Sequence, residues 1–352
     1  EKRLLGEAAG LLALRDALMP KIEENGLSKV LFDIEMPLCP VLASMEKEGF
    51  LVDRKALSDF GESLSGRIDA LTEEIYALAG GEFNINSPRQ LGEVLFDRLM
   101  LPAPKKTKTG YSTNAEVLDK LKSKHPIVNL VLEYRELAKL KSTYADGLQK
   151  VIAGDGRIRT NFQMTVTATG RLSSTEPNLQ NIPVRRELGG EIRKMFVASP
   201  GKVLVDADYS QIELRILAHI SGDEAMIDGF NSGADIHRMT ASQVLGISPE
   251  EVTKEERSRA KAVNFGIVYG ISAFSLSEDI HVSVAEARDY INAYMAKYKG
   301  VSDYMERTVK EAKERGAAVT LYGRRRPLPE LSSSNFNLRS FGERVARNMP
   351  IQ

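Results

Sequence analysis

The sequence predicts an α+β fold in which helices dominate. Residues 57–78 and 130–151 each carry apolar side chains at spacings of three and four, which is the period of one helix face. Between residues 156 and 173, threonine and branched residues alternate with polar ones, as they do in strands and turns. The segment KVLVDADYS (202–210) predicts a buried strand, and helical patterns return from about residue 248.

Length and composition exclude several classes of protein. A chain of 352 residues and 38.9 kDa corresponds to roughly two domains. Hydrophobic residues at 42% and charged residues at 27% are typical of a soluble globular protein. The single cysteine, Cys39, excludes a disulfide scaffold and a thiolate zinc site. Because no apolar run reaches the ~18 residues of a membrane span and the N-terminus has no signal-peptide core, we expect a cytoplasmic protein.

The formal net charge of zero hides a segregation of charge along the chain. Residues 1–100 carry 11 basic and 18 acidic side chains, whereas residues 101–150 carry 10 and 5 and residues 301–352 carry 10 and 6. Local basic excess of this kind is what phosphate binding requires. Two solvated helical faces would produce the same counts, so charge alone leaves both interpretations open.

The first long helix is bounded by recognisable signals. Its stripe is about 33 Å long at ~1.5 Å per residue, and Gly80-Gly81 ends it. Ser87-Pro88 then begins another helix, with serine as N-cap and proline at the first helical position. The stretch LPAPKKTKTGYST (101–113) predicts an exposed loop. Two long helices joined through a basic loop indicate a projecting arm, and a packing element without a function of its own is the alternative.

Acidic residues follow the predicted strand at 202–210. Asp208 stands at the end of that strand, directly before a predicted helix at 211–220, where a rigidly held carboxylate could bind Mg²⁺. Tyr209 could add its backbone carbonyl, and Glu213 lies one turn into the helix, where it could face the same cleft. The alternative for each acid is a surface charge or an acid at a helix N-terminus.

A cationic stripe is predicted on the helix within KEERSRAKAVNFGIVYG (254–270). Four side chains at four-residue spacing lie along one face over about 18 Å: Arg257, Lys261, Phe265 and Tyr269. Two fixed cations can hold a triphosphate, and a ring further along the helix can stack on a base or sugar. The alternative places both rings in the core and both cations in solvent.

Two glycines in the same stretch point to a close approach at this helix. Gly266 and Gly270 each cost a helix about 1 kcal/mol relative to alanine, which indicates that something must pass near the backbone there.

Three further segments are rich in polar side chains. TGRLSSTEPNLQNIPVR (169–185) suits contacts to phosphates, sugars and base edges, with a surface loop as the alternative. DIHR (235–238) places His237 next to Arg238, with a capped helix start as the alternative. In ERVARNMPIQ, donors recur at i, i+4 and i+8 and predict one polar helix face: Arg344, Asn348 and Gln352.

Together these strings resemble the polymerase region of the bacterial DNA polymerase I family, called family A. DYSQIELR resembles its first catalytic motif, and RSRAKAVNFGIVYG resembles the R-x₃-K-x₃-F-x₃-YG helix of its fingers. TATGRLSSTEPNLQNIPVR and ERVARNMPIQ resemble its primer- and template-contact segments. FNINSPRQL, KTGYST and LEYRELAKLKSTY resemble its thumb. The resemblance runs from about residue 31 to the end of the sequence.

The resemblance implies a right-hand polymerase architecture with thumb helices, an incomplete antiparallel palm sheet and helical fingers. The implied divisions are a remnant of a proofreading-type domain or linker (1–30), the thumb and its base (31–155), part of the palm (156–220), the fingers (221–310) and a return to the palm (311–352).

Site residues follow from the resemblance position by position. Asp208 would ligate two Mg²⁺ ions with help from the Tyr209 carbonyl, and the catalytic set would be Asp208, Glu213 and Lys261. Residues implied to bind the dNTP are Gln211, His237, Arg257, Lys261, Phe265 and Tyr269. Residues implied to contact DNA are Arg171, Gln180, Arg344, Asn348 and Gln352.

One departure from the family limits the expected activity. The last catalytic motif of the family, a His-Asp-Glu hairpin, is missing, because none of the four histidines precedes an aspartate. We therefore expect a fragment of a DNA-directed DNA polymerase that adds dNTPs to a primer 3′-hydroxyl and needs a further carboxylate for full activity. A separate C-terminal polypeptide is one way to supply it.

Two other functions remain as alternatives. The chain could be a non-catalytic module that binds primer-template DNA, which the missing hairpin would favour. It could also be a single-subunit RNA polymerase, although Glu213 and Phe265 argue against that interpretation.

Overall fold

The computed structural model describes residues 2–103, 110–183, 187–268 and 270–352. The chain divides into two compact units. The first unit comprises the residues up to Pro40 together with 164–171 and 206–352, and the second unit comprises 41–163 and 172–205.

Helices make up most of the described chain. Their bounds are α1 (Lys2–Glu24), α2 (Met36–Glu48), α3 (Arg54–Ala79), α4 (Pro88–Gly92), α5 (Ala115–Asp119), α6 (Pro126–Lys139), α7 (Asp146–Gln149), α8 (Glu187–Lys194), α9 (Ile212–Ser221), α10 (Glu224–Asn231), α11 (Ile236–Leu245), α12 (Lys254–Val268), α13 (Ala273–Ile280), α14 (Val284–Lys297), α15 (Lys299–Arg315) and α16 (Phe336–Asn348). Wider π-helical turns span Val30–Glu35, Glu93–Arg98 and Leu140–Ala145, and a 3₁₀ turn spans Pro329–Ser332.

Helix α3 follows the prediction from its apolar stripe. The Asp53 side chain accepts a hydrogen bond from the Ala56 N–H and caps the helix, and Gly80 ends it in the left-handed conformation with φ 71°. The stripe is buried, with Leu57, Leu71 and others at its centre. Because α6 packs against α3 along this stripe, the two long helices form the core of the second unit.

The second predicted helix is longer and less regular than its apolar pattern indicates. It begins at Pro126, passes through the π-helical turns Leu140–Ala145 and ends with α7. The predicted start at Ser87-Pro88 is confirmed, since the Ser87 side chain accepts from the Gln90 N–H. Of the predicted loop, residues 104–109 lie outside the described residues.

Three short antiparallel strand pairs are described. In the second unit, β1 (Phe50–Leu51) pairs with β2 (Arg157–Ile158), and β3 (Asn161–Gln163) pairs with β4 (Ser173–Thr175). In the first unit, β5 (Ala317–Val319) pairs with β6 (Arg325–Pro327), with Ala318 opposite Arg326. The strands predicted after residue 156 are therefore confirmed in part, and residues 164–170 between them form bends and turns.

The prediction of a buried strand at 202–210 is wrong. These residues have no regular secondary structure, and Val203 and Val205 are 81% and 85% exposed. An apolar run becomes a strand only where a neighbouring strand accepts and donates its backbone hydrogen bonds. No segment of the described chain pairs with this run, so its sequence pattern alone could not decide its structure.

Helices α9–α15 surround the largest apolar core of the first unit. Its centre is formed by side chains from α9, α12 and α14, including Leu214, Val263 and Tyr294, all with no exposed surface. A second cluster joins α15, β5 and α16 through Ala312, Ala318 and Ala346. These contacts hold α9, α11, α12 and α16 as a rigid frame for the side chains of the candidate site.

Within the described ranges, no helix is both long enough and apolar enough to cross a membrane.

Candidate active site

The predicted cationic stripe lies on α12. Val263 and Ile267 of this helix are buried in the core, whereas Lys261 is exposed and Arg257 and Phe265 are half-buried. The helix therefore has one face in the core and one face that carries the cations, as the four-residue spacing predicts. Tyr269, the last member of the predicted stripe, lies outside the described residues.

Arg257 is held by Asp235. Its Nε lies 2.6 Å from Asp235 Oδ2, while Oδ1 of the same carboxylate accepts the backbone N–H groups of His237 and Arg238 at the start of α11. Burial alone would raise the pKa of Asp235, but the hydrogen bond from Arg257 and those from the helix N–H groups outweigh it and lower the pKa below its ordinary value. Asp235 thus ties the N-terminus of α11 to the first cation of α12.

His237 is buried beside the stripe. Only 2% of its surface is exposed, its Nδ1 lies 3.0 Å from Asn264 Nδ2, and its ring centroid lies 5.7 Å from that of Phe265. Burial lowers the pKa of His237 to about 4, and the positive charge of Arg257 adds to that effect. The imidazole is therefore uncharged at neutral pH, so it can donate a hydrogen bond to a phosphate but cannot act as a third cation.

Arg171 and Glu213 form an ion pair within the first unit. Arg171 Nη2 lies 2.9 Å from Glu213 Oε1, and the exposed fractions of the two side chains are 55% and 21%. Glu213 lies in the first turn of α9, directly after Ile212. Gln211, which precedes the helix, has a left-handed backbone with φ 55°, a sparsely populated conformation for a non-glycine residue. The structure thus brings Arg171 and Glu213 together, although the family resemblance implies separate roles for these two residues.

Asp208 and Tyr209 lie on the exposed segment before α9. Asp208 Oδ1 accepts the Tyr209 backbone N–H at 2.8 Å, and Tyr209 is 76% exposed. A carboxylate and a carbonyl are oxygen donors of the kind that Mg²⁺ prefers. However, the described residues include no group of three acidic, histidine or cysteine side chains that could hold a metal ion. These oxygen donors are of the kind that a magnesium site uses, but they are too few to form one.

The predicted row of donors at the end of the chain is shorter than its spacing indicates. Arg344 and Asn348 lie on α16, which ends at Asn348, whereas Gln352 follows that end and donates its N–H to the Asn348 carbonyl at 3.0 Å. The prediction that all three share one helix face is therefore wrong for Gln352. Pro350 has no N–H to continue the helix, which explains the early end.

In the second unit, Gln180 is exposed and its Nε2 donates to the Leu172 carbonyl at 3.2 Å.

The two glycines singled out within residues 254–270 have close neighbours within the protein itself. A Cβ at Gly266 would lie 2.8 Å from Ile271 Cγ2, and a Cβ at Gly270 would lie 3.2 Å from Arg344 Cγ. Gly270 also has φ 67°, which favours glycine. The close approach predicted from the sequence is therefore confirmed, and the groups that approach are Ile271 and Arg344.

Two residues of the site were missed by the sequence analysis. Asp235 was interpreted only as part of a helix cap, because its pairing with Arg257 joins positions 22 residues apart. Asn264 stands between Val263 and Phe265 with no exposed surface. A polar residue on the otherwise apolar face of α12 was the available signal for it.

The fold places the protein in a structural class. It matches the polymerase domain of Pol1 from M. smegmatis, solved in complex with DNA primer-template and dNTP, with a TM-score of 0.89 and 43% sequence identity. The match covers 98% of this chain and 61% of that one. The fold is therefore that of a polymerase domain, helix-rich with small antiparallel sheets, as the sequence predicts.

Sequence comparison identifies the family. The family model of DNA polymerase family A matches residues 54–352. The chain is 51% identical to DNA polymerase I of Geobacillus stearothermophilus over 353 residues, covering 100% of this chain and 40% of the relative. It is 50% identical to DNA polymerase I of Bacillus subtilis over 348 residues, covering 98% of this chain and 40% of the relative. The chain belongs to DNA polymerase family A, and it spans about 40% of the length of these curated relatives.

Proposed function

We propose that this chain acts as the polymerase domain of a DNA-directed DNA polymerase, which joins a dNTP to a primer 3′-hydroxyl. The observation that carries the proposal is the arrangement on α11 and α12, where Arg257, Lys261 and neutral His237 surround one face beside Phe265. Family membership supports the same conclusion. In phosphoryl transfer the protein contributes mainly positioning and charge stabilisation, and two cations on a rigid helix provide both.

We assign the nucleotide triphosphate to the cations of α12. Arg257 can hold phosphate oxygens through two N–H groups, and Lys261 adds a second positive charge one helical turn along. Asp235 keeps the Arg257 side chain oriented before the ligand arrives, which lowers the entropy lost on binding. Phe265 provides a ring face for the base or sugar. Gln211 and Tyr269 complete the proposed dNTP set by family resemblance.

The sugar and the DNA are assigned to the residues around Glu213. We propose that Glu213 excludes a 2′-hydroxyl and that Arg171 contacts the primer-terminal base pair, so that their ion pair marks the boundary between the two substrates. Gln180, Arg344, Asn348 and Gln352 are proposed to line the path of the duplex. Residues 31–155 are proposed as thumb and base, 156–220 and 311–352 as palm, 221–310 as fingers, and 1–30 as linker or remnant.

We propose Mg²⁺ as the cofactor, with Asp208 and the Tyr209 carbonyl among its ligands. The described residues include no group of three acidic, histidine or cysteine side chains that could hold a metal ion. Two-metal catalysis needs a second carboxylate beside Asp208. We assign it to additional polypeptide, either in the same protein or in a separate C-terminal chain. We propose the cytoplasm, at the nucleoid, as the location, because the proposed substrate is primer-template DNA.

The test is dNTP and DNA binding by the chain, which does not require a complete metal site. We expect Arg257→Ala with Lys261→Ala to abolish dNTP binding, measured by calorimetry, while the affinity for primer-template DNA and its salt dependence remain. Asp33→Ala, at an exposed acid of the same unit, is the control. Tight DNA binding without dNTP binding in the unaltered chain would contradict the proposal and favour a non-catalytic DNA-binding module.

Activity is tested in a longer protein that joins an acidic His-Asp-Glu hairpin to this chain. Primer extension should then require Asp208, and full extension by Asp208→Ala would exclude its proposed role. Incorporation of ribonucleotides as fast as deoxynucleotides would favour an RNA polymerase instead.

A further inference from the structure

A buried polar network joins α11, α12 and the residue between α14 and α15. Its members are Thr240, Asn264 and Tyr298, each with no exposed surface, and His237 with 2%. Burial of polar groups is unfavourable unless each of them is hydrogen-bonded. Each N–H and O–H group of this network must therefore have an acceptor. This requirement determines which ring nitrogen of His237 carries the proton.

The assignment starts at Thr240. Its hydroxyl has one proton and two acceptors within reach, the Ile236 carbonyl at 2.8 Å and Asn264 Oδ1 at 3.2 Å, and we assign the proton to the shorter contact. Its oxygen then accepts from the Tyr298 hydroxyl and from Asn264 Nδ2, each at 3.1 Å. Burial raises the pKa of Tyr298 to about 12, so its hydroxyl keeps the proton that it donates.

The Asn264 side chain connects Thr240 to His237. With one proton of Nδ2 on Thr240, the other points to Nδ1 of His237 at 3.0 Å. A nitrogen that accepts a hydrogen bond carries no proton. Since the imidazole is uncharged at neutral pH, its single ring proton must lie on Nε2.

We propose that Asn264 is a positioning residue, which holds His237 in the tautomer with the proton on Nε2 so that the ring donates to the nucleotide triphosphate. The ligand in this inference rests on the proposed function. The opposite tautomer would present the Nε2 lone pair to anionic oxygens and repel them.

The surroundings of the ring fit an anionic ligand. Within the described chain the ring makes its hydrogen bond through Nδ1. Nε2 is therefore the ring nitrogen left to bond to a ligand. Arg257 and Lys261 both lie close enough to affect the charge of the ring, so a donor at Nε2 would act together with two cations.

The direct test is the tautomer itself, read by nitrogen-15 NMR of the full chain with labelled histidine. The His237 signals are identified by their loss in His237→Gln, since only His125, His219 and His281 remain. We expect Nε2 to carry the proton at neutral pH without nucleotide, and we expect Asn264→Asp to move a proton to Nδ1, because a carboxylate only accepts. A proton on Nδ1 of the unaltered protein would overturn the proposal, whatever the variants do.

A double-mutant cycle tests whether Asn264 acts through His237. Asn264→Leu should raise the Kd for dNTP about tenfold, as expected for the loss of one hydrogen bond to a charged group. In a His237→Ala background it should raise the Kd no further. Ser277→Ala is the matched control, because Ser277 is also buried and its hydroxyl donates to the Phe274 carbonyl of its own helix. The Kd of this variant for dNTP should be unchanged.

The outcomes separate this inference from the proposed function. An equal loss of affinity from Asn264→Leu with and without His237 would show a packing role and overturn the inference. No dNTP binding by the unaltered chain, with the proton found on Nε2, would overturn the proposed function and support the tautomer assignment.

Discussion

Arg171 and Glu213 are joined by an ion pair of 2.9 Å, although they are 42 positions apart and the family resemblance implies that one contacts the primer and the other the incoming sugar. The pair lies at the start of α9, where Arg171 is more than half exposed. An ion pair with that much solvent contributes little to stability, because water screens it. The ion pair instead orients both side chains, since each residue restricts the positions that the other can take.

The first prediction concerns this pair. Glu213→Gln keeps the size of the side chain and removes its charge, so we expect the free energy of unfolding to change by less than about 1 kcal/mol. Discrimination against ribonucleotides should change instead, because we propose that Glu213 excludes the 2′-hydroxyl. Urea denaturation and competition between dNTP and rNTP measure the two effects. A large loss of stability with unchanged discrimination would show that Glu213 is only structural.

The second prediction separates the two tasks of Asp235. Asp235→Asn keeps the cap of α11 but loses the charge that pairs with Arg257, whereas Asp235→Ala loses both. We therefore expect Asp235→Ala to be less stable than Asp235→Asn by about 1 kcal/mol, the usual value of an N-cap, in urea denaturation. Both variants should bind dNTP more weakly, by a similar factor. Equal stability of the two variants would mean that the carboxylate does not act as a cap.

The third prediction is a pH dependence caused by His237. Its pKa is 6.5 when unfolded and about 4 in the folded protein, so the unfolded chain binds the proton first as the pH falls. The stability that comes from the neutral ring is complete above pH 6.5 and is lost as the pH falls from 6.5 through 4. The full effect is about 3 kcal/mol.

The measurement for this prediction compares the unaltered chain with His237→Gln. The free energy of unfolding of the unaltered chain should fall more steeply between pH 6.5 and 4 than that of the variant. Other groups contribute equally to both proteins, so the difference isolates the His237 ring. Parallel pH curves would contradict the assignment of a buried neutral histidine.

The fourth prediction compares two glycines in helices. Gly266→Ala should destabilise the protein by about 1–3 kcal/mol, because its Cβ would lie 2.8 Å from Ile271 in a packed core. Gly66→Ala on α3 has open space around the added methyl group and should stabilise by about 0.5–1 kcal/mol. Thermal denaturation of the two variants measures both effects. A stabilising Gly266→Ala would mean that Ile271 moves aside without cost.

Local sequence patterns predicted both ends of α3 and the start of α4, although they missed the end of α16. The stripe of α3, its end at Gly80 and the start at Ser87-Pro88 depend on residues within one or two turns of each other. The strand predicted at 202–210 failed because a strand depends on a partner that its own sequence does not specify. The end of α16 at Asn348 could have been predicted from Pro350 two residues later.

The candidate site also has features that the sequence predicted and features that it could not predict. The spacing of Arg257, Lys261 and Phe265 was sufficient to place them on one helix face, because the period of an α-helix is known in advance. The partners of these residues could not be read from spacing. Asp235 beside Arg257, Asn264 beside His237 and Arg171 beside Glu213 each join separate elements.

The sequence by itself determined the family, the helical periods and the kinds of side chain available for the chemistry. Tertiary structure alone decided which histidine nitrogen lies beside Asn264, which carboxylate pairs with Arg257 and which apolar run stays exposed. The physical reason is that charge state, burial and hydrogen-bond direction depend on neighbours brought together by packing across elements. The order of residues along the chain constrains such neighbours only within a few helical turns.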